Sequence, residues 1–184
     1  MWLDSDDFLL PFAIERLTTV IAHNKADIIV TNIWRDYSLT GEKNIIAADQ
    51  SRTWLHGKIY RTQFLIDHNI TFPISMRTNE DLAFNLSLYA YDPESYLLNE
   101  EIYYFRNNPS STTKNSDNWK KCSSIDYIDA IYYAYEHYMK QKHVLDTVMI
   151  ATIIALYNYY QRGIIFGTLD EQHKQKVRKM IRNH

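Results

Sequence analysis

The chain opens MWLDSDDFLLPF, residues 1–12, and the reading of this stretch decides the fold. An apolar start runs directly into Asp4, Asp6 and Asp7, and Pro11 follows shortly after them. Like charges this close repel unless a cation, a donor or water stands among them. One reading is a helix entrance, where carboxylates accept orphan backbone N–H groups at the positive end of the dipole. The other is the end of a strand carrying hard oxygen ligands, at the sheet edge where α/β proteins hold their ligands. Under both, MWL closes a buried strand and Pro11 sits in a first helical turn. Leu9, Phe12, Leu17, Val20 and Ile21 then form the inner face of a helix that stops near His23.

Working outward, ADIIVTNIWRDY (26–37) is β-branched, unbroken and predicts a strand, with a polar turn around Thr40 to Asn44 that Gly41 permits. WLHGKIYR (54–61) predicts a short strand leading into the helix TQFLIDHN. PISMRTNED is a loop, EDLAFNLSLYAYD a helix, and SYLLNEEIYYFR (95–106) is extended. The polar segment NNPSSTTKNSDN (107–118) is long for a loop in a compact domain, which marks it as functional or mobile. Beyond it, Ile125, Ile128, Ile131, Tyr135 and Met139 recur at helical spacing. A second helix runs from about Val144 to Gln161, and Thr168 with Glu171 has capping-box spacing before a third. An α/β part over 1–115 and a helical extension over 116–184 are therefore expected, with no internal repeat.

Composition narrows the function classes. With 184 residues the chain is most simply one domain. Only four glycines and no Gly-rich phosphate loop are present, against 15 tyrosines that can pack on one side and hydrogen-bond on the other. A formal net charge of −2 without a basic stretch argues against a nucleic-acid partner. The single Cys122 excludes an intramolecular disulfide and a multi-cysteine zinc site. VMIATIIALY (148–157), the longest mostly apolar run, is too short to span a bilayer. A soluble, cytoplasmic protein is the expectation, with the inner face of a membrane as an alternative place.

Two constellations carry chemistry. DSDD can hold Mg²⁺ or Mn²⁺ while leaving positions open for phosphate oxygens. Two competitors are weaker: an EF-hand finds Leu9 in the place of its glycine, although Glu15 stands in the place of its bidentate glutamate, and Phe8 with Leu9 fits a haloacid-dehalogenase-type phosphatase poorly. TNED (78–81) has capping-box spacing, Thr78 to Asp81, but a carboxylate opening a helix near a metal also serves as a general base. Alone, each reads as a cap.

Together they form an ordered set: DSDD after an apolar segment, HGKIYRTQFLIDHNITFP, NEDLAFNLSLYA and IYYFRNNPSSTT. This set resembles the family 2 glycosyltransferases of GT-A fold, especially bacterial members that build cell-surface glycans. The resemblance covers residues 1 to about 115. It implies a partial GT-A, Rossmann-like mixed sheet with flanking helices, followed by a C-terminal helical segment. It also implies an inverting, metal-dependent transfer from a nucleotide sugar, a UDP-sugar first, to a glycan or polymer acceptor. By the same resemblance Asp6 and Asp4 bind Mn²⁺ or Mg²⁺ and the nucleotide sugar, with Asp7 supporting the site. Asp81 is the catalytic base, with Glu80 beside it in acceptor or sugar contacts. Lys58 and Arg106 border the donor, and Ser110, Ser111 and Thr112 sit on a loop that closes over its phosphates. His56, beside Gly57, is placed at the cleft; the other histidines show no ligand spacing.

The resemblance starts at the DSDD segment, so the N-terminal βαβ half of such enzymes is expected to be absent or supplied by a complementary polypeptide. The alternative is a catalytically incomplete remnant acting as an interaction or oligomerisation module. Tyr132, Tyr133, Tyr157, Tyr159 and Tyr160 are then interface candidates, though core packing suits them equally. A phosphatase or nuclease using DSDD ranks third, since the remaining motifs would be coincidental.

Overall fold

The computed structural model describes residues 1–37, 42–48, 53–74, 76, 78–106, 108, 116–141 and 147–182. In chain order the elements are β1 (Phe8–Leu9), α1 (Ala13–His23), β2 (Ile28–Tyr37), β3 (Glu42–Ile46), β4 (Lys58–Tyr60) and α2 (Thr62–Asp67), then α3 (Glu80–Tyr89), β5 (Ser95–Phe105), α4 (Ser116–Gln141), α5 (Thr147–Ile165) and α6 (Glu171–Arg182). The fold is α/β with a mixed sheet and C-terminal helices, as the sequence predicts. By packing, the chain divides into two units: Met1–Asn69 with Asp92–Pro109, and Ile70–Tyr91 with Ser110–His184. The composition break near 115 lies close to one crossing point between units. Helix α3, which the sequence groups with the α/β part, packs against α4 in the second unit.

In the first unit the strand order is β1-β5-β2-β3, with β4 also pairing β2. β2 is the axis. It runs parallel to β5 on one side, and on the other takes β4 along Ile28–Val30 and β3 along Ile33–Tyr37, both antiparallel. The β2–β5 register slips around Asn32, whose side-chain oxygen is freed to accept the Ala48 N–H at 3.0 Å. Leu17 and Val20 of α1, buried with Ala13, pack on Ile29, Leu98 and Ile102. That spacing of i, i+4 and i+7 is the amphipathic pattern that makes the helix lie on a sheet.

Two expectations are corrected here. Met1–Leu3 forms no strand among the described residues; the first ladder is Phe8–Leu9 against Tyr103–Tyr104, after the aspartates rather than before them. Strand β3 begins at Glu42, where only a turn is expected, because its pairing with β2 is tertiary.

In the second unit α3 is buried around most of its circumference from Leu82 to Leu88, so its apolar residues show little one-sidedness. The polar exceptions bond along the helix: Asn85 to the Asp81 carbonyl and Ser87 to the Ala83 carbonyl. Ile128, Ile131, Tyr135 and Tyr138 of α4 form the core with Met149, Leu156, Val177 and Met180. Tyr159 stacks on Tyr127 with ring centroids 3.7 Å apart, whereas Tyr157 stays 59% exposed. Asp170, not Thr168, caps α6, its carboxylate accepting the His173 N–H at 2.9 Å. No described helix is long and apolar enough to cross a membrane.

Candidate cation and donor site

The DSDD turn is closed by the Asp7 N–H donating to the Asp4 carbonyl at 3.1 Å. Its three carboxylates then find three different environments, which is how the repulsion is relieved. Asp7 turns inward, with a side chain only 1% exposed. Its Oδ2 accepts the Tyr103 hydroxyl at 2.6 Å and its Oδ1 the Arg106 N–H at 2.9 Å. Asp6 turns to Asn108, whose amide donates to Oδ2 at 2.8 Å; this bond, helped by the charges of Arg106 and His56, holds its carboxyl below the usual range. Asp4 stays 57% exposed, with Oδ2 3.3 Å from His56 Nε2.

His56 Nε2 also lies 3.9 Å from Asp7 Oδ2, and the ligand atoms of Asp4, Asp7 and His56 fall within 4.8 Å of one another. The ring is clamped edge-on by Phe105 at 4.8 Å and Tyr103 at 5.4 Å. Its backbone is set by Gly57, at φ +65°, whose carbonyl accepts both the N–H and the hydroxyl of Thr31 at 2.9 Å. His56 Nδ1 is buried and has no hydrogen-bond partner among the described residues. Tyr103 is 1% exposed; burial, then its bond to Asp7, pushes the phenol far above its ordinary range, so it remains a donor.

The other sequence-derived residues are placed as follows. Lys58 is fully buried, its ammonium donating to the Trp54 carbonyl. Arg106 is exposed, and its backbone anchors Asp7. Ser110, Ser111 and Thr112 lie outside the described residues. Glu80 and Asp81 open α3 in the second unit, Glu80 exposed and Asp81 half-buried. The capping-box spacing there is unused: Thr78 gives both its N–H and its hydroxyl to Asp126, at 3.0 and 2.9 Å. Asn79, the residue at the cap, is left-handed at φ 63° and makes no side-chain cap. Such a conformation in a non-glycine residue costs on the order of 1 kcal/mol and tends to collect at functional sites. Asp81 Oδ1 accepts the Leu82 N–H at 2.7 Å.

The donor set fits a divalent cation. Ligands about 2.1 Å from an octahedral ion stand about 3 Å apart when adjacent and about 4.2 Å when opposite. The His56 spacings of 3.3 and 3.9 Å fall between those limits. Two carboxylates with an imidazole favour Mn²⁺ over Mg²⁺. Asp6 would join such a set only by leaving Asn108. Sequence reasoning supplies no ligand role for His56, Tyr103 or Asn108, because each reaches the aspartates across the sheet. The one local signal is His56 next to a glycine.

No protein-family model matches the chain, and neither does any curated protein. Solved structures do. S. aureus TarS 1–349 in complex with UDP-GlcNAc is 15% identical with a TM-score of 0.59, over 96% of this chain and 54% of that one. The complex with UDP is 16% identical with a TM-score of 0.54, over 89% and 46%. TarS 1–349 by itself is 16% identical with a TM-score of 0.54, over 95% and 51%. The chain thus spans about half the length of these TarS chains. Over nearly all of its own length it shares the fold of TarS.

Proposed function

We propose that this chain carries the cation site and the base of a GT-A, family 2-type glycosyltransferase, moving a sugar from a nucleotide-sugar donor to a hydroxyl of a glycan or cell-surface polymer. The observation that carries the reading is the trio Asp4, Asp7 and His56, gathered within 4.8 Å on a fold shared with a protein that binds UDP and UDP-GlcNAc. A UDP-sugar is accordingly the proposed donor.

Asp4, Asp7 and His56 would hold Mn²⁺ or Mg²⁺, with Asp6 beside them on Asn108. Such a cation supplies Lewis-acid stabilisation of the charge that develops on a departing diphosphate. The remaining work falls to the chain. Tyr103 and the Arg106 N–H keep Asp7 oriented inside the fold, so one carboxylate is fixed while Asp4, in solvent, adjusts. The Arg106 guanidinium suits two-point binding of a donor phosphate. Lys58, sealed on the Trp54 carbonyl, would reach a donor only after that bond opens. Asp81 would accept the proton of the acceptor hydroxyl as its oxygen attacks the anomeric carbon. A single displacement inverts that centre and needs no covalent enzyme intermediate.

Calorimetric titration of UDP with and without Mn²⁺ tests the reading. Mn²⁺-dependent binding is expected in the wild type, lost in Asp4→Asn and His56→Ala, and weakened only a few-fold in Asp6→Asn. Loss in Asp6→Asn with binding retained in His56→Ala would move the cation to the motif's own pair, Asp4 and Asp6, and overturn the trio. No UDP binding under any condition would sink the donor reading.

A further inference from the structure

Apart from the aspartate site, the second unit holds a groove of about 670 Å³ between α4 and the segment around Phe72 to Met76. That volume lies within the roughly 300–1,000 Å³ of small-ligand sites, which are mostly apolar with a few convergent polar groups. Its floor runs along α4 from Asp129 to Lys140, about 16 Å of helix at the α-helical rise. The length suits a short chain of rings better than a single one.

The lining has a definite chemistry. Tyr132 and Tyr133 lie side by side on α4 with their hydroxyl ends fixed. Tyr133 donates to the Thr71 carbonyl at 3.2 Å, and Tyr132 accepts from Lys179 Nζ at 2.9 Å. Phe72 is backed by Phe84, stacked at 4.5 Å and 12°. The aromatic faces are therefore held in place before anything binds. Both carboxylates of the lining are already paired, Asp129 with Lys176 at 2.7 Å and Glu136 with Lys179, outside the lining, at 2.8 Å, and Lys140 completes the charged groups of the groove. A paired carboxylate keeps spare lone pairs and a paired ammonium keeps spare N–H donors. Both can serve hydroxyl groups, while neither presents the unbalanced charge that a polyanion needs. Flat apolar faces beside neutralised donors and acceptors match a sugar ring, with its C–H face and its rim of hydroxyls.

On both sides of the groove the chain runs on toward the start of α3, from Met76 to Thr78 and, on α4, from Asp129 back to Asp126. Asp126, one turn before Asp129 on α4, holds the N–H and hydroxyl of Thr78 just ahead of Glu80 and Asp81. We infer that this groove binds an uncharged oligosaccharide, the acceptor chain whose hydroxyl Asp81 serves. The inference rests on the glycosyltransferase reading for the word acceptor, but not for the binding itself.

The test is direct binding by calorimetry and saturation-transfer NMR, using maltopentaose, cellopentaose and chitopentaose as neutral probes and a heparin hexasaccharide as an anionic one. At least one neutral pentaose is expected to bind the wild type and the Asp4→Asn variant equally. Tyr132→Ala and Glu136→Gln should each weaken it about tenfold, with the far-UV spectrum unchanged and Mn²⁺-dependent UDP binding intact. Glu136→Gln keeps the packing if the tyrosine variant fails to fold. Failure of all three neutral probes, unchanged affinity in both variants, or a preference for heparin overturns the inference. Loss of UDP binding in the wild type alongside intact pentaose binding would instead overturn the donor reading and leave the groove as a glycan site.

Discussion

The position of His56 depends on Gly57, and two glycines in similar backbone conformations allow that dependence to be measured. Gly57 has φ +65° and Gly167, in the turn after α5, has φ +62°. A Cβ on Gly57 would meet Thr31 Oγ1 at 2.8 Å and Ile33 Cγ1 at 2.9 Å, whereas on Gly167 it would meet nothing within 4 Å. Alanine in the left-handed region costs roughly 1–2 kcal/mol at either site. Overpacking against β2 adds about 1–3 kcal/mol at Gly57 alone, since Thr31 and Ile33 are both buried in the sheet. Gly57→Ala should therefore lose about 2–5 kcal/mol and Gly167→Ala about 1–2 kcal/mol. Urea unfolding read by tryptophan fluorescence and far-UV dichroism gives both values, each variant shifting the transition of its own unit should the two separate. The difference between variants, not either absolute value, measures the β2 contact. Equal losses would mean that β2 yields freely around a new methyl group, and His56 could not then be regarded as held in register with Asp4 and Asp7.

Other outcomes follow from single interactions. Tyr103→Phe removes the 2.6 Å hydrogen bond to the buried Asp7 and should cost about 1.5–3 kcal/mol in urea unfolding, as expected for a bond to a charged group; a neutral effect would show that Asp7 is solvated. Arg16 donates to both Glu100 oxygens at 2.7–2.9 Å, yet the side chains are 40% and 37% exposed, so Arg16→Gln should barely move the urea midpoint, and less still in high salt. Burial, then the charge of Lys140, lowers the His137 pKa below its ordinary 6.5. The unfolded chain then binds more protons than the folded one, so this contribution is present above about pH 6.5 and lost as pH falls below it. Thermal midpoints between pH 8 and 5 should drop less steeply in His137→Gln than in the wild type, and identical slopes would contradict the burial argument.

What the sequence makes legible here is periodicity. Leu17 with Val20, the unbroken β-branched run from Ile28, and Ile128 with Ile131 each state their element because burial repeats at the period of that element. Strand β3 is not legible, since Glu42–Ile46 becomes a strand only by pairing with β2. The two cap patterns fail for a related reason. Thr78 has the right spacing but bonds Asp126, 48 residues away, about which spacing carries no information, while Thr168 turns back to the Gly163 carbonyl and leaves the cap to Asp170.

The aspartate cluster shows the same limit where it bears on function. DSDD announces three carboxylates, and electrostatics requires that they be compensated, but nothing in four consecutive letters says which of them goes inward. That choice is made by β5. Tyr103 lies in the β1–β5 pairing, opposite Leu9, so its hydroxyl arrives under the turn, and the Arg106 N–H follows from the end of β5. The carboxylate facing that pair is Asp7, which is thereby drawn out of solvent. Once Asp7 is inside, its Oδ2 lies 3.9 Å from His56 Nε2, and His56 is also the neighbour of Asp4. A two-residue spacing, Asp4 with Asp6, thus becomes a three-residue spacing, Asp4 with Asp7, for reasons that lie about a hundred residues downstream. Alternate side chains of an extended segment share a face, but across a turn closed from Asp7 N–H to Asp4 carbonyl it is the first and fourth residues that are brought together. The turn geometry therefore favours Asp4 with Asp7 over Asp4 with Asp6 as the pair that would share the proposed cation.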